Sequence, residues 1–313
     1  MHTDDQLAGR PTLADIRLVV ADMDGTLLDG DGTIPDSFWP LLERLAAREV
    51  VFAVASGRQY PALAGMFGRA GHGLALIAEN GAYVVSEGRE VSSSTVDPAA
   101  AAHVVDVVRG LGRDFELGLV LSGRRSAYVE SDEPAFLEEA GRFYTSLQVV
   151  DDLRGVTDEP LKFAVHDAVG ASRGSRDALV PALAPLRVVM SSEHWMDIMD
   201  PAVDKGVAVR ALQRTLGVGP DQTMAFGDYH DHLEMLAQAT HSFAMGNAHP
   251  RVVAASRHRA PSNSDHGVVR VLEELLAWGW VTERTRHALP EHAHRLLRAA
   301  GRREPDRGDD GGG

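Results

Sequence analysis

Asp22 and Asp24, separated by Met23 and followed by Gly25, are the pair in this sequence whose types and spacing best suit chemistry. They close an apolar run, Leu18-Val-Val-Ala21, that reads as a buried parallel strand. Residues two apart on a strand point the same way. Both carboxylates are therefore expected on one side of the strand's C-terminal end, where ligands bind in open α/β sheets. Two carboxylates this close repel, and an apolar strand end makes the repulsion costly. A bound cation and a reaction that uses both acids account for the pair. The plainer reading of Asp-x-Asp-Gly is a turn or calcium loop.

Three more apolar runs end in polar residues. Val50–Ala55 ends at Ser56-Gly57-Arg58, Leu74–Ala78 at Glu79-Asn80-Gly81, and Thr223–Phe226 at Gly227-Asp228. Lys205, after Asp204, opens an amphipathic helix (Val207, Val209, Leu212, Leu216) that Gly217 stops. In a parallel sheet all strand C-termini share one edge, so these residues predict a single site. The chemistry that fits is phosphoryl transfer, which needs a nucleophile, a metal to spread charge, fixed donors and an acid for the leaving oxygen. Simpler roles exist for each residue. Ser56 before glycine can cap a helix, Lys205 can lie on the surface, Asn80 can serve a turn, and Arg58 can touch substrate or pair with acids. His230-Asp231-His232 resembles a transition-metal cluster in composition, but adjacent residues cannot all converge on one ion, and a solvated or supporting pair is expected.

The elements that must position these residues alternate strand, helix, strand from Arg17 to Ala78, which predicts a parallel sheet with right-handed crossovers. The pattern changes after Tyr83: a hairpin tip at Ser86–Arg89, a helix over Pro98–Leu111, short alternating strands, and a last strand at Trp195–Met199. It resumes at Asp204. The expected fold is α/β, with a core from residues 15–83 and 201–280 and an inserted α+β domain at 84–200; one larger continuous sheet is the alternative. Residues 1–14 and 301–313 read as disordered by composition, and Thr282 to about Ala300 as a basic helix with Arg284, Arg286, Arg295 and Arg298 on a solvated face.

Among the 313 residues, 44% are hydrophobic, enough for a core, and no apolar run is long enough to span a membrane. The first residues lack a basic start and an apolar segment, so no signal peptide is indicated. The chain has no Cys, which excludes disulfides, thiolate catalysis and Cys-ligated zinc and fits a cytoplasmic location. A net charge of −14 argues against non-specific nucleic-acid binding but not against an anionic substrate beside a local cation.

Asp22-Met-Asp-Gly-Thr-Leu27, Ala55-Ser-Gly-Arg58, Lys205 and Gly227-Asp228 resemble, in order, the motifs of the haloacid dehalogenase-like (HAD) phosphohydrolases. The insertion after Asn80-Gly81-Ala82, together with Ala244-Met-Gly-Asn-Ala-His-Pro250, Ser262-Asn263 and Asp265-His-Gly-Val268, resembles the Cof-type branch with a C2B cap; the likeness covers about residues 15–277. It implies a Rossmann-like core with helices flanking its sheet, and a Mg²⁺-dependent phosphatase for a small phosphorylated metabolite such as a sugar phosphate or phosphorylated cofactor. By that resemblance Asp22 is the nucleophile that forms an aspartyl-phosphate. Asp24 protonates the leaving alkoxide and then activates water. Ser56 donates to phosphoryl oxygens and Lys205 neutralises charge. Gly25, Thr26, Gly57, Arg58 and Asn80 surround the substrate. Mg²⁺ is held by Asp22, the Asp24 backbone carbonyl and Asp228.

One motif departs from the family. Gly-Asp-x-x-Asn-Asp is expected, and Gly227-Asp228-Tyr-His-Asp231-His232 is present. Asp231 and His232 therefore stand where residues supporting the metal's waters and the Lys belong, which puts metal affinity and rate in question. His232 is expected to pair with Asp231 and to titrate near working pH. A weakened homologue that binds a phosphorylated ligand as a sensor, and a phosphomutase, are the alternative functions. In the inserted domain Lys162, Glu130 and Trp195 are candidates for substrate contact by domain membership alone. Neither the substrate nor the oligomeric state is legible.

Overall fold

The computed structural model describes residues 16–171 and 174–284. Asp15–Leu272 form one compact unit that holds every candidate site residue. Two sheets organise it. The first has eight strands in the order β14-β13-β12-β1-β2-β3-β4-β5. These are β1 (Leu18–Asp22), β2 (Val51–Ala55), β3 (Leu74–Ala78), β4 (Tyr83–Ser86), β5 (Arg89–Ser93), β12 (Thr223–Gly227), β13 (His241–Ala244) and β14 (His258–Arg259). The pairs from β14 to β3 are parallel; β4 and β5 are antiparallel.

β1 sits mid-sheet because it is apolar throughout and buried on both faces, as a central parallel strand must be. From β1 the chain builds outward through β2 and β3 on one side, then later through β12 and β13 on the other. The boundary between β1 and β12 is thus a topological switch point, where such sheets open a crevice. Asp22 is level with Ala55, and Ala21 with Phe226, so the ends of β1, β2 and β12 lie side by side.

The helices around this sheet include α1 (Phe38–Ala46), α2 (Tyr60–Met66), α6 (Lys205–Leu216), α7 (Leu233–Leu236) and α8 (Pro250–Ala255); a last helix, α9 (Gly267–Arg284), follows in the chain. α1 buries Phe38, Leu41, Leu42 and Leu45, the 3–4 spacing its sequence announces. α6 starts at Lys205 because Asp204 caps it, accepting the Val207 N–H at 2.7 Å; Gly217 ends it with a left-handed φ of 68°.

The second sheet is six-stranded, β10-β11-β9-β6-β7-β8. It is built from β6 (Leu117–Gly123), β7 (Ala127–Val129), β8 (Leu147–Val149), β9 (Pro160–Asp167), β10 (Arg187–Met190) and β11 (Trp195–Met199), with α3 (Pro98–Leu111), α4 (Pro134–Gly141) and α5 (Ser175–Ala182). It has its own core, with Val104, Val108, Phe163, Leu179, Met196 and Ile198 packed together. The single-sheet alternative does not hold.

Pairing also moves the expected boundary at 83/84. The hairpin β4–β5 hydrogen-bonds to β3, so residues 84–93 extend the first sheet, and the second begins after Ser93. A hairpin breaks the strand–helix rhythm without leaving the sheet, which is why periodicity placed the change too early. Strands β8 and β14 were not expected; at three and two residues they are too short to show alternation. α9 continues to Arg284, into the stretch from Thr282 that the sequence reads as a basic helix. The leader 1–14, the rest of the basic C-terminal helix and the 301–313 tail lie outside the described residues. Among the described residues no helix is long and apolar enough to cross a membrane.

Candidate active site

Asp22 ends β1 and is 3% exposed. Lys205 Nζ donates to its Oδ1 at 2.7 Å, and His232 Nε2 lies 3.0 Å from the same oxygen. Burial alone would raise this carboxyl's pKa. The positive fields of His232 and Lys205 outweigh it and hold Asp22 below the ordinary carboxylate range, ionised. Burial likewise opposes the Lys205 charge, but Asp22 and Asp231, the latter 3.2 Å away, raise its pKa.

Asp24 is in a different setting. The strand stops at Asp22 and the chain enters a tight turn, Met23–Leu27, so strand alternation does not govern Asp24. Its side chain is 61% exposed and forms a two-point ion pair with Arg58, Nη2 to Oδ1 at 2.7 Å and Nε to Oδ2 at 3.3 Å. The repulsion expected between the two acids is relieved by separate cations. Arg58 thus pairs with an acid, and it follows Ser56 on the loop after β2. Buried Ser56 accepts the Arg58 N–H on Oγ at 3.1 Å, and the Asn80 N–H bonds the Ser56 carbonyl at 3.0 Å. Gly57 is needed for close approach: a Cβ there would stand 2.7 Å from Asn80 Oδ1.

Asp228, just past β12, faces the turn after β1. Thr26 Oγ1 donates to its Oδ1 at 3.1 Å, and Asn247 Nδ2 holds the Gly25 carbonyl at 2.8 Å. Gly25 has φ +78°, and a Cβ on it would lie 2.4 Å from Asp228 Oδ2. Gly25→Ala is therefore expected to cost ~1–3 kcal/mol of stability through strain and displacement of Asp228. Thermal melting reads this, and an unchanged midpoint would contradict the close fit.

Asp22, Asp228 and His232 each bring a donor atom within 4.8 Å of the others, the one such group among the described residues. The carboxylate oxygens suit a hard divalent cation. His232 is engaged otherwise. Its Nδ1 meets the backbone N–H groups of Asp228 and Tyr229 at 3.2 and 3.1 Å, with Asp228 Oδ1 at 3.3 Å. Burial disfavours its charge, yet Asp22 and Asp228 lift its pKa to about 10. Its expected partner Asp231 lies 3.4 Å from Nε2, farther than Asp22. Burial would raise the Asp231 pKa, but Lys205 and His232 pull it far down. His230 turns elsewhere, its ring 3.9 Å from that of His249, so the three adjacent residues do not converge.

The second sheet reaches this site through Lys162 on β9, 2% exposed. Lys162 Nζ donates to the Gly57 carbonyl at 2.8 Å and pairs with Glu79 at 3.1 Å and Asp197 at 3.3 Å. Ser122 Oγ donates to Glu79 Oε1 and Asn80 Nδ2 to Asp197 Oδ2, each at 2.7 Å. Burial raises the Glu79 pKa despite Lys162. Burial opposes the Lys162 charge, but Asp197, Tyr144 and Glu79 drive its pKa up. Sequence reasoning singled out Lys162 only by domain, quoted Glu79 and Asn247 within motifs without giving either a role, and missed Asp197. Trp195 lines the same cavity, its Nε1 bonded to Glu139 at 3.2 Å. Glu130 does not; it is held by Arg109 and the Leu153 N–H.

The strand-end residues, Lys205, Asp231, His232, Lys162 and Asp197 border one cavity of about 410 Å³. Asp22, Asp24, Ser56, Lys205 and Asp228 form its floor, and Phe143, Tyr144, Trp195 and Tyr229 contribute aromatic walls. A larger hollow of about 650 Å³, by Tyr128 and Thr157, contains none of the strand-end residues. A buried, ionised, lysine-held carboxylate beside an exposed acid in a cavity can attack an electrophile and pass a proton.

A profile of the haloacid dehalogenase-like hydrolases matches residues 19–272. The chain is 34% identical over 264 residues to the Escherichia coli 5-amino-6-(5-phospho-D-ribitylamino)uracil phosphatase, covering 83% of this chain and 96% of that one. It is 28% identical over 246 residues to the HMP-PP phosphatase of Cronobacter sakazakii, covering 77% and 88%. A solved structure from Streptococcus mutans is 25% identical and superposes with a TM-score of 0.73 over 84% of this chain and 99% of that one. Profile, relatives and architecture agree: the chain belongs to the haloacid dehalogenase-like hydrolases.

Proposed function

We propose that this hydrolase removes phosphate from a small phosphorylated metabolite by way of an aspartyl-phosphate on Asp22. The observation that carries the reading is the Asp22 carboxylate itself, buried yet ionised between Lys205 and His232 where it lines the cavity. Asp22 attacks phosphorus. The leaving alkoxide takes a proton from Asp24, whose exposed side chain lines the cavity beside Asp22. Ser56 and Arg58 supply donors for the phosphoryl oxygens, and Lys205 offsets their charge. Water then attacks the acyl phosphate with Asp24 as base.

The Asp22 and Asp228 carboxylates offer hard oxygens that fit Mg²⁺, with the Asp24 backbone carbonyl as the further ligand the family resemblance implies. The ion would supply charge neutralisation on the phosphoryl group. The aromatic walls suit a leaving group that carries a planar ring, in keeping with the uracil derivative in the name of the Escherichia coli relative.

Hydrolysis of an aryl phosphate, assayed after chelator treatment and again with Mg²⁺ restored, tests the reading. Activity is expected to fall by roughly 100-fold or more without the ion and to return with it. Unaltered turnover in chelator would remove the metal from the mechanism.

A further inference from the structure

Two donors meet one oxygen of the nucleophile: Lys205 Nζ at 2.7 Å and His232 Nε2 at 3.0 Å, both on Asp22 Oδ1. The His232 ring keeps a proton on Nε2 in either charge state. As imidazolium it carries one on each nitrogen. As neutral imidazole its Nδ1 accepts the backbone N–H groups of Asp228 and Tyr229, which leaves the proton on Nε2. His232 therefore offers Asp22 a donor where the family pattern resembled by this chain carries a carboxylate. Lys205 divides its donors with Asp231, whereas Asp22 Oδ1 is the nearest anionic oxygen to His232 Nε2.

We infer that His232 is a catalytic residue of the second half-reaction, stabilising the Asp22 carboxylate as it is expelled from the aspartyl-phosphate. This rests on the phosphatase reading above. With Oδ1 held by two donors, Oδ2 is the oxygen that bonds phosphorus. In breakdown, the water oxygen bonds phosphorus and its proton passes to Asp24. The P–Oδ2 bond breaks, and its electron pair returns to the Asp22 carboxylate, spread over Oδ2 and Oδ1. The charge gathering on Oδ1 falls on the His232 Nε2–H. In the first half-reaction the same donor draws charge away from the attacking carboxylate. His232 thus favours breakdown of the intermediate over its formation.

Two substitutions separate this role from a structural one. His232→Asn keeps an acceptor for the backbone N–H groups but withdraws the donor from Asp22. His232→Gln places an amide N–H where Nε2 stands. Stopped-flow release of nitrophenolate from p-nitrophenyl phosphate with Mg²⁺, together with acid-trapped phosphoenzyme, gives formation and breakdown rates separately. In His232→Asn, breakdown is expected to slow by about tenfold or more relative to formation, with a larger trapped fraction. In His232→Gln, the ratio is expected to return to within about threefold of wild type. Equal slowing of both steps, or the same partition in both variants, overturns the proposal. Thermal melting checks the fold; should His232→Asn fail to fold, His232→Ser withdraws the donor with a smaller side chain. If wild type traps no phosphoenzyme and Asp22→Asn still turns over, the covalent reading itself falls, an outcome distinct from loss of the His232 role alone.

Discussion

Asp22→Asn is expected to reduce phosphatase turnover by roughly 10⁴-fold or more, because it removes the proposed nucleophile while leaving the side chain's shape. An amide nitrogen or oxygen in that place cannot form an acyl phosphate, so no positioning by Ser56, Lys205 or Asp24 compensates. The companion change Asp24→Asn separates the two acids. An aryl phosphate has a good leaving group and needs little help from an acid in the first step, so Asp24→Asn should still form phosphoenzyme and be slowed mainly in its breakdown. Asp22→Asn should form none. A comparable residual rate in both variants would show that Asp22 is not the attacking group.

The substitution also has a thermodynamic signature. The Asp22 pKa is lowered in the folded protein, so its charge contributes stability that is present above the ordinary carboxylate pKa and lost as pH falls through the folded value. Asp22→Asn should therefore melt lower at neutral pH, by ~2 kcal/mol, and approach the wild type as both are acidified. Melting curves from pH 7 down to about 3 measure it.

The strand-end residues were legible because a buried parallel strand writes itself as an apolar run, and the first polar residue after it marks the sheet's C-terminal edge. Asp22, Ser56 and Asp228 all follow that rule. Lys205 was legible from its place at a capped helix start. Other features depend on partners distant in sequence. The Arg58–Asp24 pair joins two loops, and nothing local indicates which acid Arg58 meets. Glu79 and Asp197 look like a turn residue and a strand residue; only the folded chain brings them to Lys162 from different strands. The altered Asp231-His232 pair was visible as a departure, but its consequence was not. A sequence places His232 one residue from Asp231, while the backbone N–H groups after β12 turn its ring toward Asp22.

Lys162→Met is the change with the largest expected effect on stability. Methionine keeps much of the apolar stem, so packing is largely retained and the loss is electrostatic. The ammonium is nearly fully buried and is the cation shared by Glu79, Asp197 and the Gly57 carbonyl. Removing it leaves two buried carboxylates, each with one side-chain donor: Ser122 for Glu79 and Asn80 for Asp197. Breaking a buried pair in this way costs about 3–5 kcal/mol at neutral pH. The pH dependence follows from Glu79. Burial already raises its pKa, and without Lys162 the carboxylate loses the cation that opposes the rise. A carboxyl whose folded pKa is raised binds a proton more readily in the folded state, so its contribution is most favourable at low pH and declines as pH rises through the folded pKa. The deficit of Lys162→Met should therefore be largest near pH 8 and shrink toward pH 5 as Glu79 takes up a proton. Glu79→Gln added to Lys162→Met should recover part of the loss at pH 8 and flatten the profile. A deficit that stays constant between those pH values, in either variant, would place the cost in packing rather than in the stranded carboxylate.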